Sequence, residues 1–150
     1  MTATDQDLMK LYSQRILALA AELGRTGRLD APGGSAMKRS PLCGSTVTVD
    51  LSVDPEGRIS DFAQDVKACA LGQASASVLA EGVIGRSREE IAAGREALRA
   101  LIKENGPEPG APFAALEAMR PARDYKNRHA SILLAWDATL AALDAAKPAA

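Results

Sequence analysis

The sequence has one histidine and two cysteines in 150 residues, an aromatic content of 3% and a net charge of −1. Each shortage excludes something. With few aromatics and a near-neutral charge there is neither a base-stacking platform nor a basic field, so nucleic acid is not an expected partner. No uninterrupted apolar run is long enough for a signal peptide or a bilayer span, so no membrane association is expected. The expectation is a cytoplasmic protein. Cysteines in that compartment stay reduced, which turns attention from a disulfide to metal binding or sulfur chemistry. Catalytic templates are missing too. There is no Gly-x-Ser-x-Gly elbow, the stretch from Gly24 to Arg28 is too short for a phosphate loop, and one histidine leaves a serine triad without an evident nucleophile. The chain is therefore not expected to be an enzyme.

What is present is apolar side chain in regular patterns. A 47% hydrophobic, 25% charged composition fits a single globular, helix-leaning domain over residues 1–150. Leu8, Leu11, Tyr12, Ile16, Leu19 and Leu23 recur at helical steps, and Gly24 and Gly27 end that helix. Residues 24–42 lack a period and read as a loop passing over the body of the fold. From Thr46 to Val53 apolar and polar residues alternate, which predicts a strand. Asp54-Pro55-Glu56-Gly57 is a turn, and a second strand from Arg58 to about Lys67 completes an antiparallel hairpin. Ile59 and Phe62 differ in parity, so that strand should carry a bulge. Two strands make a poor sheet, and residues 29–40 are the place for a third.

A helix rich in small residues follows Cys69. Ser87 and Glu90 form a capping box for the next helix. After a Gly/Pro linker from Asn105 to Pro112 comes a short helical segment. A last helix is predicted from about Tyr125 to Ala145, with Ile132, Leu133, Trp136, Leu140 and Leu143 as its apolar stripe. The order predicts an α+β fold: a small antiparallel sheet of about three strands with helices packed on one face.

Three residues carry candidate chemistry. Cys43 precedes Gly44 in the loop feeding the first clear strand. Cys69 stands where the second strand meets the small-residue helix, and unpaired N–H groups at a helix start favour thiolate. His129 leads the apolar stripe of the last helix and should face inward. Taken singly, each cysteine reads better as a small buried hydrophobe, and the histidine as a hydrogen-bonded core residue rather than a ligand. Neither thiol belongs to a Cys-x-x-Cys pair, so spacing alone defines no zinc site.

Their motifs add more. Ser40-Pro41-Leu42-Cys43-Gly44-Ser45 resembles the Pro-x-Cys-Gly-Asp motif of the NifU/IscU/SufU scaffold family. Lys67-Ala68-Cys69 with Gln73-Ala74-Ser75-Ala76-Ser77 resembles that family's second motif, and the hairpin from Asp54 to Phe62 also fits. The stretch before the last helix, ending in Arg120-Pro121-Ala122-Arg123, is similar to the SufU branch. The resemblance implies a SufE/NifU-like fold and a scaffold or accessory for iron–sulfur cluster assembly. It implies that Cys43, Cys69 and His129 hold iron or a transient two-iron cluster. A cysteine desulfurase and acceptor apoproteins are the implied partners, and a homodimer sharing one cluster is compatible with the reading. The alternatives are a SufU-like, zinc-binding sulfur acceptor and a partner-binding module whose site has decayed. Three positions depart from the family pattern: Ser45 stands where the acid is usual, Ser131 falls in the slot of the third cysteine, and His129 lies one residue before the family's histidine.

Overall fold

The computed structural model of the chain describes residues 13–41 and 44–146. The order of elements is α1 (Gln14–Ala21), β1 (Gly34–Arg39), β2 (Thr46–Val53), β3 (Ile59–Lys67), α2 (Ala70–Gly82), α3 (Arg88–Glu104), a 3-10 helix (Ala114–Asp124) and α4 (Lys126–Ala145). The part of the predicted first helix carrying Leu8, Leu11 and Tyr12 lies outside the described residues.

The three strands form one antiparallel sheet in the order β1-β2-β3. The third strand predicted within residues 29–40 is β1. Alternation in β2 turns Val47, Val49, Leu51 and Val53 to one face, and all four are buried. The register steps by one residue where Ser52 pairs Asp61 and Val53 pairs Ile59. That bulge absorbs the parity mismatch, so Ile59 and Phe62 both reach the core.

Helices cover the Val47/Val49/Leu51 face. α4 lies across β1 and β2, α2 packs on α4, α1 packs on α2, and α3 packs on α4 and the 3-10 helix. α3 begins at the capping box of Ser87 and Glu90 and ends at Asn105, whose φ of 51° is left-handed. Gly94 of α3 sits against Trp136 and Phe113, where a Cβ would come within 2.7 Å of the indole. The two rings meet edge to face with centroids 4.9 Å apart. This contact fixes α4 lengthwise, and with it every side chain that α4 presents.

The opposite face of the sheet is strapped by the chain between α1 and β1. Thr26 bridges the outer edge of β3 at Gln64 in parallel sense, with Gly27 N–H donating to Gln64 O and Gln64 N–H to Arg25 O. The chain then crosses to Asp50 in the central strand. Arg28 clasps that carboxylate with Nε (2.7 Å) and Nη2 (3.0 Å), and Leu29 N–H donates to it at 3.0 Å. Ser35 Oγ of β1 donates to the same carboxylate. Asp50 is fully buried. The Arg28 hydrogen bond, helped by Ser35 and the Leu29 amide, holds its carboxyl at about 2, below the usual 3.8.

Among the described residues, no helix is long and apolar enough to cross a membrane.

Candidate functional site

The hairpin between β1 and β2 closes tightly. Ser40 N–H donates to Ser45 O at 2.8 Å, and Gly44 N–H donates to Ser40 O at 2.9 Å. Gly44 takes a φ of +69°, a conformation that side chains with a Cβ resist. Residues 41–44 form the loop, and Cys43 within it lies outside the described residues. What the hairpin fixes directly is Ser45, which is buried.

Cys69 is the N-cap residue of α2, with extended backbone and no side-chain capping bond. Its own carbonyl accepts from Gln73 N–H at 2.9 Å. The side chain is half-buried and the thiol is free. Across from it stands Ser131 of α4, whose Oγ lies 3.7 Å from Cys69 Sγ. Ser131 Oγ also shares a hydrogen bond of 3.1 Å with Ser45 Oγ. A hydroxyl from the hairpin, a hydroxyl from α4 and the thiol at the start of α2 thus converge beside the Cys43 loop.

The small residues of α2 cause the convergence. A Cβ on Gly72 would lie 2.8 Å from Ser131 Oγ and 3.2 Å from its carbonyl oxygen, so only glycine permits this approach of α2 to α4. One turn further, Ser75 Oγ donates to Ile132 O at 2.7 Å and accepts from Trp136 Nε1–H at 3.1 Å. The Ala/Ser/Gly run is therefore the packing surface that brings Ser131 against Cys69.

Of the three residues singled out from sequence, the structure places Cys69 in this cluster and His129 elsewhere. His129 is buried as expected, but it precedes Ser131 by two residues, about 200° around a helix. Its Nε2–H donates to Ala122 O at 2.9 Å, which ties the start of α4 to the end of the 3-10 helix. Ser131 and Ser45 are known from sequence only as departures from a motif; Ser131 is the side chain that meets Cys69, and Ser45 reaches the thiol only through Ser131. Among the described residues no three His, Cys, Asp or Glu side chains are grouped so as to hold a metal ion. One thiol and two hydroxyls make a poor ligand set for iron or zinc, which prefer thiolate and imidazole in such sites. The described residues alone do not close a four-coordinate site.

A three-stranded antiparallel sheet backed by helices, with one thiol in a strand-connecting loop and another at a helix start, is the architecture of the scaffold class to which the sequence motifs point. The comparisons with known proteins agree with this class. Residues 11–144 match the model of the NifU-like N-terminal domain, and the chain belongs to that family. It is 28% identical over 126 residues to the iron–sulfur cluster assembly scaffold protein IscU of Thermotoga maritima, covering 84% of this chain and 87% of that protein. The crystal structure of a nitrogen-fixing NifU-like protein (N-terminal) from Brucella abortus superposes with a TM-score of 0.88 at 47% identity, covering 93% of this chain and 96% of that one. A protein of Fervidobacterium islandicum named for scaffold duty in the SUF system superposes with a TM-score of 0.80 over 90% of this chain and 98% of its own. At 21% identity that likeness shows the fold alone.

Proposed function

We propose that the chain is an iron–sulfur cluster assembly scaffold or accessory that carries iron or a labile two-iron cluster as cargo on the thiolates of Cys43 and Cys69. The observation that carries this reading is the free, half-buried Cys69 at the mouth of α2, set against Ser131, which is itself hydrogen-bonded to Ser45 at the foot of the Cys43 loop. In this reading the remaining ligands come from outside: a thiol, a water, or a second copy of the chain. An incomplete ligand set suits a carrier that must release its cargo, since a closed set of four holds a cluster in place. His129 serves the joint between the 3-10 helix and α4. The chain works with a cysteine desulfurase and passes cargo to acceptor apoproteins.

Reconstitution with iron and sulfide under anaerobic conditions tests this. Wild type should gain a chromophore with acid-labile sulfide, and Cys43→Ala and Cys69→Ala should each lose it. His129→Gln, which retains a donor for Ala122, should keep it. Colourless wild-type protein would overturn the proposal, and loss of the chromophore in a folded His129→Gln variant would restore the imidazole as a ligand. The accessibility of Cys69 also favours a second reading, a sulfur acceptor with zinc in place of iron. Zinc without sulfide in wild type, absent from both cysteine variants, would select it.

A further inference from the structure

The charges of the chain balance overall, yet the fold sorts them. α3 and α4 run antiparallel, and their seam is laced by ion pairs one heptad apart: Arg88 Nε to Asp144 Oδ1 at 2.7 Å, then Arg95 Nε to Asp137 Oδ1 at 2.5 Å. Seven residues on in α3 and seven back in α4 stand Ile102 and Ala130, and the alternation of acid and base stops. The charged side chains gathered there are Lys103, Lys126 and, from the end of β1, Arg39, all exposed and without an ion pair among the described residues. Together with Arg95 and Arg99 they line a cavity of about 410 Å³ between the helices, floored by Leu133 and Leu134. Asp137 in the same cavity is engaged by Arg95, and Arg99 is engaged by Glu96 and Glu104 at its rim. Ser40 and Pro41, which lead into the Cys43 loop, also line this cavity.

We propose that this groove docks an acidic, extended segment of a partner protein. Arg95, Arg99 and Lys103 follow one another at four-residue steps, so their cations repeat at about 6 Å along α3. An extended chain repeats its same-side residues at about 6.6 Å. Acidic residues at alternate positions of such a segment therefore meet the unpaired Lys103 directly and, without bending, the remaining N–H donors of Arg95 and Arg99, which keep Asp137, Glu96 and Glu104 as partners. Lys126 and Arg39 face the segment from the other wall. The row spans about 12 Å, comparable with the Debye length of ~10 Å near 0.1 M salt, and its one unpaired cation, Lys103, acts on a passing anion together with Lys126 and Arg39. Leu133, Leu134 and Pro41 give the backbone of the segment an apolar bed. The groove rests on charge placement alone and holds whether or not Cys43 and Cys69 carry a cluster.

The probe is a fluorescein-labelled peptide with Glu and Ser alternating, followed by anisotropy against the whole chain. Lys103→Gln/Lys126→Gln should weaken binding about tenfold, as loss of two exposed ion pairs of up to about 1 kcal/mol each implies. Arg25→Gln/Arg58→Gln, which removes the same charge away from the groove, should leave it unchanged. Raising NaCl from about 50 to about 300 mM should release the peptide. Equal loss in both double variants would overturn the proposal. So would equal binding of a peptide with its Glu residues in one block. Displacement by citrate at matched ionic strength and matched carboxylate concentration would also overturn it, in favour of a small-anion site. None of these outcomes bears on the iron and sulfide content that tests the cargo reading.

Discussion

Replacing Asp50 by Asn removes one charge from the middle of the sheet and keeps the shape. In the native fold four donors converge on this carboxylate: two from Arg28, the Leu29 amide and the Ser35 hydroxyl. The amide of Asn would present its own N–H groups to donors and lose the charge that Arg28 answers. Holding the carboxyl at about 2 instead of 3.8 corresponds to about 2 kcal/mol of stability at ~1.4 kcal/mol per pH unit. Mispaired buried donors bring the expected loss at neutral pH to about 2–4 kcal/mol. The sign with pH follows from the lowered value. The contribution is complete above the unfolded value of 3.8 and is lost as pH falls toward about 2, where the folded carboxyl also takes up a proton. Urea unfolding of wild type and Asp50→Asn between about pH 6 and pH 2.5 should therefore show a gap that narrows by about 1.5 kcal/mol on the acid side. A gap that stays constant across that range would refute the argument, because the stabilisation would then not depend on the charge. The consequence reaches the site, since Asp50 ties the strap and β1 to β2, and β1 leads into the Cys43 loop.

Two further substitutions probe the site. Gly72→Ala puts a Cβ within 2.8 Å of Ser131 Oγ and 3.2 Å of its backbone oxygen; it should cost about 1–3 kcal/mol in thermal or urea unfolding, while Gly110→Ala, with open space around it, should cost little. Ser131→Cys adds a thiol where Ser131 now faces Cys69; it should slow chelator-driven loss of a reconstituted cluster roughly tenfold, equivalent to about 1.4 kcal/mol, and an unchanged loss rate would show that position 131 does not touch the cargo.

Local patterns in the sequence accounted for most of the elements. Alternation gave β2, the Asp54–Gly57 turn gave the hairpin, parity gave the bulge, and Ser87 with Glu90 gave the start of α3, because each depends on residues a few positions apart. The inward face of His129 was also legible from its place on the stripe. The partner of that ring was not. Ala122 lies in an irregular segment whose path no short-range pattern sets, and a helix position specifies a direction without saying what stands there.

Sequence by itself thus determined the order of strands and helices, the two thiols at element junctions and the family to which the motifs point. Tertiary structure decided which side chains meet. Ser131 reaches Cys69 because Gly72 lets two helices distant in sequence close up. Asp50 is buried, although it alternates with polar residues on an outer face, because a strap with no periodicity folds over it. The cations of the α3–α4 groove look scattered along the chain and gather only because two antiparallel helices pair their acids at one end of the seam and leave bases at the other. Contacts of this kind depend on how far apart packed elements come to rest, and that distance is a property of the whole core rather than of any stretch of sequence.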